Sequence, residues 1–268
     1  MNAATDRRSD ESTAATDTVW RDSELVNPHV SESKAGKVRS MFAAIAASYD
    51  LNNRLHSLWF DQAWRRHAVR AAAVRRGETV LDVACGTGDL TEAFAARSPA
   101  GEVIGVDFTP EMLGVARTKQ ATRRPEIAGR IRYEHGDAMD LHLPDASADV
   151  VSIAFGIRNV QEPERAIAEF SRVLRPGGRL VILEFDTPRF APVRWFNTWY
   201  AGWLMPRTAT LISGDQSGAY RYLPRSVESF MPRERLLESI SRAGFTDAKA
   251  RPLTMGICMC YRAIRSGA

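Results

Sequence analysis

Residues 79–89, TVLDVACGTGDL without its final leucine, restrict the fold more than any other stretch of the chain. A short, largely apolar run, TVLDVA (79–84), suits a strand covered on both faces. Two glycines one residue apart then let the backbone turn sharply and bring it close to a ligand with no Cβ in the way. The residues after Asp89 have helical spacing, so the segment reads as strand, tight turn and helix, one half of a βαβ unit.

The pattern repeats downstream. VIGVD (103–107), IRYEHG (131–136), DVVSIAF (149–155) and RLVILEF (179–185) read as further strands. Helical segments separate them, including the amphipathic stretch from Glu162 to Leu174. Thr109-Pro110-Glu111 supplies an N-cap residue, a proline at the first helical position and an acid in the first turn. A helix over Glu234 to Ala243 and two closing strands finish the chain. This alternation predicts an α/β fold, a doubly wound, mostly parallel, seven-stranded Rossmann-like sheet.

Two pieces lie outside that rhythm. Residues 37–76 read as a helical cap broken around Asp50-Leu51-Asn52-Asn53, and residues 189–224 as a helical insertion. Trp195, Trp199 and Trp203 fall four apart in the insertion and so share a helix face. That face reads either as plain core or as a surface for a greasy chain or a bilayer. Residues 1–36, polar and rich in small side chains, read as a disordered tail before a domain spanning 37–268.

Ligands of doubly wound sheets bind at the carboxyl ends of the strands, where the helix after the Gly-rich turn presents its first N–H groups. Asp82, Gly86, Thr87 and Gly88 belong to the first strand and its turn. The turn has Thr91 where the third glycine of a dinucleotide fingerprint would stand, which disfavours a pyrophosphate and a nicotinamide-dependent oxidoreductase. Asp107 ends the second strand about 20 residues on, where a carboxylate accepts from ribose hydroxyls. Asp137, followed by the small Ala138, follows the third strand and suits the edge of an adenine; an Asx turn is the plain alternative. Three such strand ends together point to an adenosyl group.

VLDVACGTGD, GVDFTPEML, HGDAMDLHLPDASADVV and EFSRVLRPGGRLVILEF together resemble a class I methyltransferase. YDLNNRLHSLWFDQAWRR, FGIRNV and SGAYRYLPRSVESF are narrower and resemble the demethylmenaquinone/ubiquinone biosynthesis C-methyltransferase family, over about Lys37 to Arg262. The resemblance implies S-adenosyl-L-methionine as cofactor and a polyprenyl quinol as acceptor. Demethylmenaquinol is the first expectation, with a benzoquinol of ubiquinone biosynthesis or a non-catalytic scaffold subunit as alternatives. It assigns Thr87, Asp107, Asp137 and Ala138 to the cofactor. Cys85 stands where the family often has glycine, and Ala154 where some members have serine.

C-methylation of a quinol needs the phenol beside the reacting carbon to lose its proton, so a base or a cation must serve it. Arg158 and Asn159, just after the fourth strand, are the candidate catalytic pair. Arginine is a permanent cation, better suited to stabilise a phenolate than to act as base, unless it merely pairs with Glu162 or Asp149. Tyr49 and Tyr222 are the candidate acceptor-binding residues, with His56 and Tyr220 beside them.

The net charge of +4, with no block of Lys or Arg longer than a pair, calls for no nucleic acid but leaves contact with an anionic membrane open. The three cysteines include no metal cluster and no disulfide framework, which fits a reducing cytoplasm and peripheral contact with the inner face of a membrane. No apolar run reaches the roughly 20 residues of a spanning helix. Association of copies of the chain is left open.

Overall fold

The computed structural model describes residues 19–20, 24–213 and 218–267. Seven strands form one sheet: β1 (Thr79–Val83), β2 (Glu102–Asp107), β3 (Ile131–His135), β4 (Ala148–Ala154), β5 (Leu174–Phe185), β6 (Phe245–Leu253) and β7 (Cys258–Arg265). Their order is β3-β2-β1-β4-β5-β7-β6. Pairing is parallel except that β7 runs antiparallel to both neighbours. The expected sheet is therefore present.

Eleven α-helices are described: α1 (Lys34–Ile45), α2 (Tyr49–His56), α3 (Phe60–Ala72), α4 (Asp89–Arg97), α5 (Pro110–Ala121), α6 (Pro125–Ala128), α7 (Pro163–Val173), α8 (Ala191–Trp199), α9 (Met205–Ser213), α10 (Ala219–Glu228) and α11 (Arg233–Arg242). A π-helical stretch, Tyr200–Leu204, joins α8 to α9. No described helix is long and apolar enough to cross a membrane.

Period-two alternation splits the strands between two cores. Val80, Val103, Val150 and Val181 pack with α3, α4 and α5 on one face. Leu81, Ile104, Val151 and Ile182 pack with α7 and α11 on the other. Cys258 and Cys260 share the first of these faces, as their spacing indicates. The strand order reverses between β1 and β4, whose following helices leave on opposite faces. The crevice this opens at their carboxyl ends is where a ligand fits.

Several boundaries differ from the sequence reading. The cap breaks at 46–48 and 57–59 rather than at 50–53. Asp50 to Asn53 lie inside α2, where the buried Asn52 donates its amide to the Ser48 carbonyl at 3.4 Å. The insertion runs on past 224, because Pro224 is accommodated inside α10 while Tyr222 and Ser226 are buried.

The disordered tail does not extend to residue 36. Trp20 is fully buried and stacks on Tyr222 at 4.8 Å between ring centroids. Two short turns of 3₁₀-helix, Glu24–Val26 and Pro28–Val30, lead into α1. Trp20, Leu25, Met41 and Ile45 meet Tyr220 and Tyr222 in a third small core. One large aromatic with a partner elsewhere in the chain offsets the polar composition around it. Residues 1–18 of the expected tail lie outside the described residues.

Candidate active site

The turn after β1 is built from left-handed backbone. Ala84 has φ +50°, Gly86 +56° and Gly88 +83°. A Cβ at Gly88 would come within 2.1 Å of the Tyr133 hydroxyl, so both space and dihedral require glycine there. At Gly86 no atom lies within 4 Å of the same position, which leaves the backbone open toward the crevice. Cys85 N donates to the Val106 carbonyl at 3.0 Å and holds the turn against β2.

Asp107, at the end of β2, organises this corner. Its Oδ2 accepts from Gly86 N at 2.7 Å and its Oδ1 from Thr109 N at 2.8 Å. Thr109, expected to cap α5, sits at the N-cap position but its side chain makes no capping bond there. Burial pushes the Asp107 carboxyl up, and the bonds from Thr109 and Gly86 oppose that shift.

The cleft between the strand ends has a volume of about 800 Å³, its open mouth included. Gly86, Asp107, Asp137, Ala138, Asn159 and Tyr49 all lie on its wall, so the structure brings six of the expected site residues together. Asp137 makes the Asx turn weighed from sequence, its Oδ1 accepting from Met139 N at 2.9 Å. It does so while still facing the cleft. Phe42, Phe108, Met112 and Phe155 give the wall its apolar part.

Five expected residues are not on that wall. Asp82 lies beneath it, away from the wall, its oxygens accepting from the Thr91 hydroxyl at 2.6 Å and the Ser152 hydroxyl at 2.7 Å. Burial raises its pKa to about 6. Thr87 donates its hydroxyl to Asp50 of α2. Asp50 in turn is held by Lys119 at 2.6 Å. Thr87 therefore fastens the turn to the cap rather than reaching into the cleft. Gly88 serves as the N-cap of α4.

Arg158, expected to face the acceptor as a cation, is buried behind the wall. Its Nη1 bonds Glu184 at 2.6 Å and the Phe155 carbonyl at 2.7 Å, and its Nε reaches the Ser226 hydroxyl at 3.2 Å. The pairing alternative was right in kind, with a different acid: Glu184 of β5 rather than Glu162 or Asp149. Tyr222 is likewise behind the wall. Its hydroxyl donates to Asn159 Oδ1 at 2.9 Å, and burial pushes its pKa up to about 12. His56 is occupied with Asn52 and Thr208.

The sequence reading missed Phe108 and Arg39. Phe108 directly follows the strand-end carboxylate and stacks near His135, its ring 5.7 Å from the Arg39 guanidinium. Its position next to Asp107 was the available signal. Arg39, on an otherwise unremarked helix face, offered none.

This sheet order, with a Gly-rich turn and a strand-end carboxylate around one cleft, defines a class I methyltransferase. Solved structures agree on the fold. An S-adenosylmethionine-dependent methyltransferase from Thermotoga maritima superposes with TM-score 0.60 at 18% identity, over 85% of this chain and 100% of that one. One from Aquifex aeolicus gives TM-score 0.53 at 17% identity, over 75% and 88%. The profile of the ubiE/COQ5 methyltransferase family matches residues 30–265, and the chain belongs to that family. It is 44% identical to the demethylmenaquinone methyltransferase of Deinococcus radiodurans, over 84% of this chain and 91% of that protein. The same identity holds for the demethylmenaquinone methyltransferase of Thermus thermophilus, over 82% and 98%. The ubiquinone/menaquinone biosynthesis C-methyltransferase UbiE of Geobacter sulfurreducens is 41% identical, over 85% and 88%.

Proposed function

We propose that this methyltransferase transfers a methyl group from S-adenosyl-L-methionine to a ring carbon of a polyprenylated naphthoquinol, converting demethylmenaquinol to menaquinol. The observation that carries the acceptor is the 44% identity to two demethylmenaquinone methyltransferases over nearly their whole lengths. A polyprenyl acceptor resides in a bilayer, so the reading includes peripheral contact with a membrane surface.

The residues present fit the cofactor. Each Asp107 oxygen already accepts one backbone N–H and keeps a lone pair for a ribose hydroxyl. Asp137 and Ala138 would flank the adenine, and the open position at Gly86 admits close approach of the adenosyl group. When bound, the cofactor supplies an electrophilic methyl on a sulfonium.

What this chain adds is orientation and exclusion of water. The Phe42, Phe108 and Phe155 rings would enclose the flat acceptor. Tyr49 is half-buried on the cleft wall, and desolvation of its hydroxyl pushes the pKa up, so it stays protonated at neutral pH and can donate to a phenolate oxygen. Asn159 would orient the acceptor's second polar edge, its own amide fixed by Tyr222 and by the Phe155 carbonyl at 3.2 Å. Arg158 is a positioning residue in this scheme. Its charge, largely neutralised by Glu184, acts on Tyr49 and Tyr222 from behind.

Purified protein with methyl-labelled cofactor and reduced demethylmenaquinone tests the reading. Label on a ring carbon by mass spectrometry is the expected result. Label on a ring oxygen, on protein or on RNA overturns it, and faster turnover of a demethylated benzoquinol would move the acceptor class.

A further inference from the structure

The insertion shows its aromatic face to solvent. Trp195 is 73% exposed, Phe196 54%, Trp199 43% and Trp203 51%. Trp199 and Trp203 stack on each other at 5.9 Å across the π-helical stretch. The plain-core reading of this face is thereby excluded, and a patch of this kind marks an interaction surface. Residues 187–213 contain Arg189, Arg194 and Arg207 and not one Asp or Glu. Arg207 lies over the Trp203 ring at 4.6 Å, and no described carboxylate pairs with Arg194 or Arg207. Arg189 pairs with Glu234.

A second segment adjoins it. Leu58 and Trp59, in the turn between α2 and α3, are 71% and 58% exposed. Both sit in left-handed backbone, at φ +49° and +62°. Two consecutive non-glycine residues in that region are strained, and strain that presents an exposed indole gives the folded chain no packing in return. The Tyr200 hydroxyl donates to the His56 carbonyl at 3.1 Å, and the His56 ring meets the Thr208 hydroxyl at 2.8 Å. These bonds fasten α2 beside the insertion. Tyr49, at the other end of α2, is on the cleft wall, so one short helix links the surface to the site.

Resting on the quinol reading, we infer that the Trp-rich face and the Leu58–Trp59 turn together form a docking surface for an anionic phospholipid bilayer. Indole rings favour the headgroup level, and arginines with no acids among them match the negative leaflet. A long-tailed quinol then passes from the bilayer along α2 into the cleft. The chain's own first residues are a poor cover for this face, because residues 2–18 contain neither an aromatic nor a large aliphatic side chain, only charged, polar and small ones.

The full chain is sedimented with vesicles of phosphatidylglycerol and phosphatidylcholine, and with phosphatidylcholine alone. The expected result is binding to the anionic vesicles that weakens in high salt, with tryptophan fluorescence quenched by brominated lipid. The double variant Trp199→Ser/Trp203→Ser, and separately Trp59→Ser, should each lower partitioning by roughly tenfold. They should leave melting temperature and kcat/KM on a short-tailed, water-soluble quinol near wild type, while kcat/KM on vesicle-borne quinol falls. Wild-type protein that stays in the supernatant, or variants that pellet like wild type, would overturn the surface. So would a concentration-dependent dimer that the double variant dissociates, since a second copy would then be the occupant. Failure on the short-tailed quinol as well would count against the function, whereas vesicle binding is read independently of turnover.

Discussion

The Tyr222 hydroxyl donates to Asn159 Oδ1 at 2.9 Å, although only Asn159 lies on the cleft wall. A residue on the insertion thereby fixes the rotamer of a residue in the 3₁₀ turn, Ile157–Asn159, that follows β4. Tyr222→Phe removes the bond and keeps the ring on Trp20. Loss of one such bond is worth about 1 kcal/mol, so kcat should fall about five- to tenfold with the KM for cofactor unchanged. Asn159→Ala should lose more. Equal losses in kcat and in cofactor affinity would show that Tyr222 supports the whole cleft instead.

Arg158 and Glu184 form an ion pair with side chains 4% and 2% exposed. Removing one member leaves the other charge buried and alone, so Arg158→Ala should cost about 3–5 kcal/mol in urea unfolding. Arg158→Met combined with Glu184→Leu should recover most of that stability. A single variant as stable as wild type would return Arg158 to a role at the acceptor.

Asp107 ties the glycine turn to the start of α5 on the wall of the proposed cofactor site. Asp107→Ala should weaken S-adenosylmethionine binding by about 2–5 kcal/mol in calorimetry, because two charge-assisted bonds are lost and Gly86 N and Thr109 N are released. Unchanged affinity would remove the residue from the site.

Asp82 has its pKa raised from 3.8 to about 6 by burial. Between those values the folded state holds a proton that the unfolded chain has released. Stability therefore falls as pH rises through that window, and above pH 6 the folded state carries an ionised buried carboxylate at a cost of about 3 kcal/mol. Asp82→Asn is exempt, so its stability relative to wild type should increase from pH 4 to pH 7. Parallel curves in denaturant titrations at the two pH values would contradict the assignment.

Trp20→Ala should destabilise the protein by about 3–5 kcal/mol, the range for emptying a buried aromatic site. Deleting residues 1–32, which the composition alone suggests is harmless, should do at least as much, since it also removes Leu25. Proteolysis of the region near α10 should quicken in both. A truncation that melts with wild type would place Trp20 outside the cooperative fold.

What could be read in advance followed the range of the forces involved. The strands, the glycine turn, and the places of Asp107, Asp137 and Asn159 at or after the ends of their strands were legible because short apolar runs and βα turns are local chemistry. The fault at Arg158 lay in its partner: Glu184 is on a neighbouring strand, brought alongside by the pairing of β4 with β5. Asp82 was misplaced for a similar reason, since its register opposite Ser152 decides where it points. Trp20 was lost in the average over a polar stretch. Periodicity placed Trp195, Trp199 and Trp203 on one helix face, and it carries no information about whether that face looks inward or outward.

The stacking of Trp20 on Tyr222 joins points separated by most of the polypeptide. On a ribosome, the N-terminal indole emerges long before its partner is made, and the loop it must close is costly in entropy. The nucleotide half of the sheet, β1 to β4, has all its pairings within the earlier part of the chain and can assemble first. What waits for α10 is the Tyr222 hydroxyl that holds Asn159. A nascent chain interrupted before Tyr222 would thus hold every residue of the cleft wall with the Asn159 amide not yet fixed, a site complete in its parts and unset in its geometry.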